Sequence, residues 1–273
     1  MSKRKENLLG IAMVMPSFIS LLILVIWPVM ISIKESFMNG EGQFSFENYI
    51  YVFTEPMMLN NIKHTVVVTL ISCIIVLFIS YFIAIYLRFT SSKIANFIRK
   101  TYFIPMFVPG IIAIYGFINT YRDNGWIARL IGQENLPVLM YDIKGVVMMN
   151  MWFNIPFTTM LLVSALSAIP DSVIESAKDV GATKLKIFWK FIFPLSYKTM
   201  LVATTFLFMG IVGSFTAPFL VDSNAPQMLG VSMQQHFSVY HEFGQASSIA
   251  VIMFIMSAGI GYLYIHSMMK EEK

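Results

Sequence analysis

The stretch His64-Thr-Val-Val-Val-Thr-Leu70-Ile-Ser-Cys-Ile-Ile-Val-Leu-Phe-Ile-Ser80-Tyr-Phe-Ile-Ala-Ile-Tyr-Leu87 decides the fold, because no charged residue interrupts it. At about 1.5 Å per helical residue it is long enough to cross the roughly 30 Å hydrocarbon core of a bilayer. Five further runs read the same way: Leu8 to Ile33, Thr101 to Tyr121, Gly145 to Ala168, Thr199 to Val221 and Ala246 to Ser267. The 19 basic and 15 acidic side chains all fall outside the six runs. An Asp, Lys or Arg at a helix centre costs roughly 2.5 to 3.5 kcal/mol on insertion scales, so this exclusion fits lipid-embedded spans. Hydrophobic residues make up 57% of the chain and charged ones 12%, and the mean hydropathy is +0.70. These values exceed what a water-facing surface tolerates. The expectation is an all-α integral membrane protein with six transmembrane helices. With no internal repeat, low-complexity tract or separate soluble segment, residues 1–273 read as one transmembrane domain.

Lys and Arg set the orientation. If the N-terminus is inside, Lys3, Arg4, Lys5, Arg88, Lys93, Arg99, Lys100, Lys178, Lys184, Lys186, Lys190, Lys198, Lys270 and Lys273 are cytoplasmic, fourteen of the 19 basic residues. Lys34, Lys63, Arg122, Arg129 and Lys144 are left outside. The asymmetry predicts both termini in the cytoplasm. The net charge of +4 then reflects topology signals beside anionic membrane lipid and calls for no nucleic-acid partner. Lys3-Arg4-Lys5 ahead of an apolar run resembles a signal peptide, but the run is longer than a typical h-region of about 7 to 15 residues and no small-x-small cleavage site follows. An uncleaved first span is expected.

Several chemistries are excluded by what the chain lacks. Cys73 is the only cysteine, which leaves no intramolecular disulfide and no thiolate cluster. His64, His236, His241 and His266 form no H-E-x-x-H pair, so no metal site is expected. No G-x-x-x-x-G-K-[ST] loop occurs, and any ATP must therefore be bound by another subunit. No catalytic residue is proposed. Aromatic residues at 15% and 21 methionines suit membrane interfaces and irregular helix packing better than a cofactor box.

The loop at residues 169–198, between the fourth and fifth runs, is the one charged helical segment with internal design. Pro170 lets the chain turn out of the fourth run. Ser172-Val-Ile-Glu175 fits a capping box. Gly181 stands where a left-handed C-terminal residue closes a short helix. From about Thr183, Leu185, Phe188, Trp189 and Ile192 take the i, i+3, i+4, i+7 spacing of one apolar face, and Pro194 punctuates it. The expected product is a helix-glycine-helix elbow, which on physics alone also suits a basic helix lying in the headgroup region with Lys184, Lys186 and Lys190 snorkelling. Glu175 and Asp179, four residues apart, offer two carboxylates on one face to a basic partner.

Glu175, Ala177, Gly181, Ala182, Phe188, Pro194 and Leu195 stand in the register of the EAA loop, and the segment resembles that of binding-protein-dependent ABC importer permeases. Ser176 takes the place of the family's first alanine, while Phe191 and Phe193 replace its usual Ile and Leu. Weaker resemblance covers Trp27-Pro28, Phe46-Glu-Asn48-Tyr49, Ile104-Pro105-Met-Phe-Val-Pro109-Gly110 and Gly213-Ser-Phe-Thr-Ala-Pro218. It suggests the branch serving polyamines, phosphonates and iron, with the sugar branch next.

The resemblance implies a type I importer permease fold in the bacterial cytoplasmic membrane. It implies a coupling loop in which Glu175, Ser176, Ala177, Asp179, Gly181, Ala182, Phe188 and Pro194 engage a cytoplasmic ATPase. It also implies two ATPase subunits, a second permease, identical or homologous, and an extracellular or periplasmic solute-binding protein. ATP and magnesium would sit in the ATPases, and this chain would bind no cofactor.

A solute pathway needs polar side chains facing the bundle interior. Asn150 and Asn154 lie one turn apart in the fourth run with Trp152 between them, Ser214 and Thr216 lie near the outer end of the fifth, and Tyr115 and Asn119 in the outer half of the third. Each has a plainer alternative role, a helix-helix hydrogen bond worth about 0.6 kcal/mol. The competing functions are a secondary transporter or channel working without ATPases, disfavoured because the runs hold no charged residue, and an intramembrane hydrolase, for which no Ser-His or paired-carboxylate constellation is present.

Overall fold

The computed structural model describes residues 3–132, 139–222, 224 and 226–269. Lys270 and Lys273, two of the expected cytoplasmic basic residues, lie outside the described residues. Five helices are long and apolar enough to cross a membrane: Gly10–Ser36, Pro56–Phe89, Ile143–Ser167, Lys184–Val212 and Phe243–Met269. Among the described residues no strand forms beyond a single bridge between Met38 and Phe44.

The third apolar run is not one continuous helix over Thr101 to Tyr121. It is a pair, Lys93–Phe107 and Gly110–Ile131, bent by 104°. Proline causes the break. Ile104–Phe107 forms a single 3₁₀ turn carrying Pro105, Val108 is extended at φ −85° and ψ 122°, and Pro109 has ψ 131°. A proline ring clashes with helical backbone at the preceding residue and supplies no N–H, so the helix stops at Phe107 and restarts at Gly110. Counting this pair as one span restores six.

The fifth span also departs from its sequence boundaries. The helix begins inside the loop, at Lys184, and runs to Val212. Pro194 therefore does not end the second short helix. It is absorbed by a π turn, Phe188–Ile192, in which the Phe193 N–H donates to the Phe188 carbonyl five residues back. Wide turns of this kind relieve the clash between a proline ring and the carbonyl one turn earlier. Pro28 is handled the same way in the first span: Leu22–Ile26 is π, and Trp27 N–H donates to Leu22 O. Past Gly213 the fifth run resumes only as a short helix, Thr216–Val221.

Contacts gather the chain into two compact units. One comprises Met1–Leu59 and Ser232–Phe254; the other comprises Asn60–Val231 and Ile255–Lys273. In the first, Asn48 Nδ2 donates to the carbonyls of Ser36 and Met38 at 3.1 and 2.8 Å, and the Tyr49 hydroxyl is hydrogen-bonded to Ser36 Oγ at 2.8 Å. Buried His236 donates from Nδ1 to Ser232 O at 2.8 Å, since a carbonyl can only accept.

The second unit holds two apolar clusters. Val68, Val76, Ile114, Met149, Leu207 and Ile211 centre the first. The second joins Ala84, Leu162 and Leu166 of the second and fourth spans to Ile169, Ile174, Ala177, Ile187 and Ile192 of the loop. Asp222, just past the fifth apolar run, is buried, with its carboxylate 3.9 Å from His64 Nε2. Burial, and then the nearby Asp142, push its carboxyl above the ordinary range.

Candidate functional site

The loop folds into the expected elbow by partly unexpected means. Its first helix runs Asp171–Asp179 with Pro170 as N-cap and no side-chain cap. The Ser172–Glu175 capping box does not form: starting two residues earlier puts Ser172 inside the first turn, and Glu175 is exposed and free of that duty. The C-terminus closes as foreseen. Gly181 has φ +76°, Gly181 N–H donates to Lys178 O at 2.8 Å, and Ala182 N–H donates to Ala177 O at 3.0 Å. These two bonds define a Schellman motif, which glycine enters without the penalty a Cβ pays at positive φ. Thr183 then caps the next helix, its hydroxyl accepting from Lys186 N–H at 3.4 Å.

The elbow has an inner and an outer side. Ile174 and Ala177, three residues apart, are buried in the cluster shared with the spans. Glu175, Ser176, Asp179 and Pro194 are exposed, and Ala182 and Phe188 are half-buried. Phe188 packs edge-on against Tyr81 with ring centroids 6.1 Å apart, and Tyr81 OH is hydrogen-bonded to Ser196 Oγ at 2.7 Å. The expected apolar face of the second helix is corrected. Ile187 and Ile192 turn inward, while Leu185 is 68% and Trp189 56% exposed, because the π turn makes inward positions recur five residues apart instead of three or four. Val180, 83% exposed, borders a shallow hollow with Ser172, Val173, Ser176, Ala177 and Phe191.

One residue that sequence reasoning missed anchors this assembly. Arg88, at the end of the second span, donates from Nε to Leu166 O and from Nη2 to Ile169 O, both at 3.0 Å. Its Nη2 also meets Asp171 Oδ1 at 2.5 Å. A single guanidinium thus binds one carbonyl in the last turn of the fourth span and the Ile169 carbonyl just beyond it, and grips the first residue of the elbow helix. No local sequence signal could have found it, since its partners lie about eighty positions away.

The expected pathway residues fall into different settings. Asn150 is buried and donates from Nδ2 to Ser72 Oγ at 3.1 Å. Asn154 is half-buried and donates from Nδ2 to Asn150 O at 2.9 Å. Trp152 meets Phe117 edge-on at 5.2 Å, and its Nε1 is buried with no hydrogen-bond partner among the described residues. Ser214 Oγ is likewise buried and unpartnered there. It sits where the chain passes closest to Gly230, at which a Cβ would lie 2.4 Å from Ser214 O. Thr216 is exposed. Tyr115 is 51% exposed, and Asn119 lines a cavity of about 280 Å³ with Arg122, Asn124, Gly125, Trp126 and Arg129. The structure therefore links Asn150 and Asn154 on one span and ties Asn150 to the second, while Trp152, two residues from each, lies on another face against Phe117. No metal-ligating group of three or more His, Cys, Asp or Glu occurs among the described residues.

Spans that shed charge onto their ends, with a hydrogen-bonded elbow fastened to two of them, define a multi-span helical membrane protein. The family described as the binding-protein-dependent transport system inner membrane component matches residues 88–270. The chain belongs to that family. It is 25% identical over 283 residues to the osmoprotective compounds uptake permease protein GgtC of Synechocystis sp., covering 95% of this chain and 99% of that one. It is 22% identical to the spermidine/putrescine transport system permease protein PotB of Escherichia coli, covering 85% of this chain and 88% of that one. The fold matches that of a bacterial alginate ABC transporter in complex with its pentasaccharide-bound periplasmic protein, at a TM-score of 0.83 and 17% identity, covering 96% and 94% of the two chains. The MetNI methionine ABC transporter gives a TM-score of 0.62 at 18% identity, over 78% of this chain and 96% of that one.

Proposed function

We propose that this chain, as the permease of an ATP-driven importer, passes a small polar solute inward, paired with a second permease subunit and served by an external binding protein. One of the importer's two cytoplasmic ATPases docks on the elbow, and hydrolysis, with its ATP and magnesium, belongs to the ATPases. The observation that carries this reading is the two-sided elbow: Ile174 and Ala177 lock it to the second and fourth spans while Glu175, Asp179 and Val180 face outward. Motion imposed on the outer side is then handed to the spans through packed side chains.

The named solutes of the relatives, osmoprotective compounds, sulfoquinovosyl glycerol, polyamines, sulfate and glucose, are all small and polar. They favour a route lined by Tyr115, Asn119, Asn150, Trp152, Asn154, Ser214 and Thr216. The test is reconstitution in proteoliposomes with an ATPase and a candidate binding protein. ATP-dependent uptake lost on Gly181→Val but retained in Gly181→Asn is the expected result. Uptake that proceeds without any ATPase subunit would replace this reading with a secondary transporter.

A further inference from the structure

We infer that the helix Lys93–Thr101 is an interfacial element that binds anionic phospholipid. Its pose is fixed at the end of the second span. Ser92 caps it by accepting from Ala95 N–H at 3.0 Å, Tyr86 OH is hydrogen-bonded to Ser92 Oγ at 3.1 Å, and Arg99 Nη2 donates to Leu87 O at 2.6 Å. Ala95 points inward and is fully buried. With that residue as origin and about 100° per residue, Ile94, Phe97, Ile98 and Thr101 fall in one arc. Lys93 and Lys100 fall side by side along its edge.

The apolar arc is uncovered: Ile94 is 65% and Phe97 67% exposed. It continues beyond the helix into Ile104 and Phe107, 50% and 78% exposed. The 104° bend before Gly110–Ile131 lays Lys93–Phe107 across the direction of that following segment. Lys93–Thr101 has nine residues, about 14 Å of helix and too short to cross the bilayer, and the bend turns it away from the axis of the segment that continues the span. An apolar arc sunk at the acyl boundary with lysines beside it is the geometry of an in-plane helix. Charge selects the occupant. No Asp or Glu occurs between Glu55 and Asp123, so Lys93 and Lys100 have no acidic neighbour in their own stretch of chain and are presented to an anionic surface.

The test uses the full transporter complex in phosphatidylcholine vesicles with and without phosphatidylglycerol. A spin label at Phe97→Cys should collide with oxygen and be shielded from a water-soluble nickel chelate, while one at Asn96→Cys should show the reverse; the native Cys73 is buried. A photoactivatable phosphatidylglycerol should cross-link to the chain, and the Lys93→Gln/Lys100→Gln variant should lower that yield by at least about twofold. Full contact of each lysine with an anionic leaflet corresponds to roughly fivefold. A matching phosphatidylcholine probe should be unaffected. Shielding of position 97 from both reagents would show a protein partner on this face, and access of the nickel chelate would show water. Either result, or an unchanged cross-linking yield, overturns the inference.

Discussion

Replacing Arg88 with Met keeps the length and apolar stem of the side chain and removes its guanidinium. The side chain is 17% exposed, and Asp171, its ionic partner, is 72% exposed. The ion pair is therefore screened and contributes about 0 to 1 kcal/mol. The bonds to Leu166 O and Ile169 O weigh more, because Leu166 and Ile169 are 1% and 5% exposed and their carbonyls lose a charged donor without gaining water. Bonds of that kind contribute roughly 1.5 to 3 kcal/mol each, discounted here for partial access. Arg88→Met is thus expected to destabilise the fourth-span terminus by about 2 to 4 kcal/mol, and Asp171→Asn by about 1 kcal/mol or less. Arg88→Lys should fall between them, since an ammonium cannot reproduce the two-armed geometry.

The assay is detergent melting of the purified complex, paired with uptake per ATP hydrolysed in proteoliposomes. Loss of coupling in Arg88→Met at a temperature where the complex is still folded would place the residue in the line of transmission. Equal effects of Arg88→Met and Asp171→Asn would refute the reasoning, by showing that the ion pair carries the energy.

At Gly181 no atom lies within 4 Å of a built Cβ, so the penalty of substitution is conformational, about 1 to 2 kcal/mol for a left-handed L residue and more for a β-branched one. Gly181→Val should release the ATPases and stop uptake while Gly181→Asn preserves both; equal co-purification of ATPase with all three proteins would contradict the elbow. Asn154→Leu should slow uptake about fivefold, the rate equivalent of roughly 1 kcal/mol, without loosening the ATPases. Unchanged transport with a lower melting temperature would assign Asn154 to helix packing. A reporter fused after Lys273 should read cytoplasmic and one near Glu134 external, both positions lying outside the described residues; the opposite pattern would invert the topology.

The spans were legible because lipid imposes a composition on any helix long enough to cross it, and Leu8–Ile33 and His64–Leu87 needed no other information. The elbow was legible because a positive-φ glycine has few uses, and Gly181 followed a short charged helix. Less was readable where one residue changes phase. Apolar periodicity treats Leu185, Phe188, Trp189 and Ile192 as a face, and nothing in composition announces the π turn that sends Leu185 and Trp189 outward. The break at Pro109 was written in the sequence but hidden inside a run uniformly apolar on both sides. Arg88 and the Asn150–Ser72 bond depend on which helices become neighbours, and that is decided by packing across some eighty positions.

The π turn at Phe188–Ile192 sets the angular phase between the elbow and the span that follows it. Inward positions along this helix run 187, 192, 196, 203, 207 and 211, α-helical spacings except for the first. Deleting one residue from the turn would restore uniform winding and rotate the elbow by about 100° relative to the span above it. Ile187 would then swing out of the cluster that holds Ile174 and Ala177. The extra residue is thus an angular offset set during folding. It fixes the direction in which a push on the elbow arrives at the spans, so relatives with and without it would deliver the same displacement along different bearings.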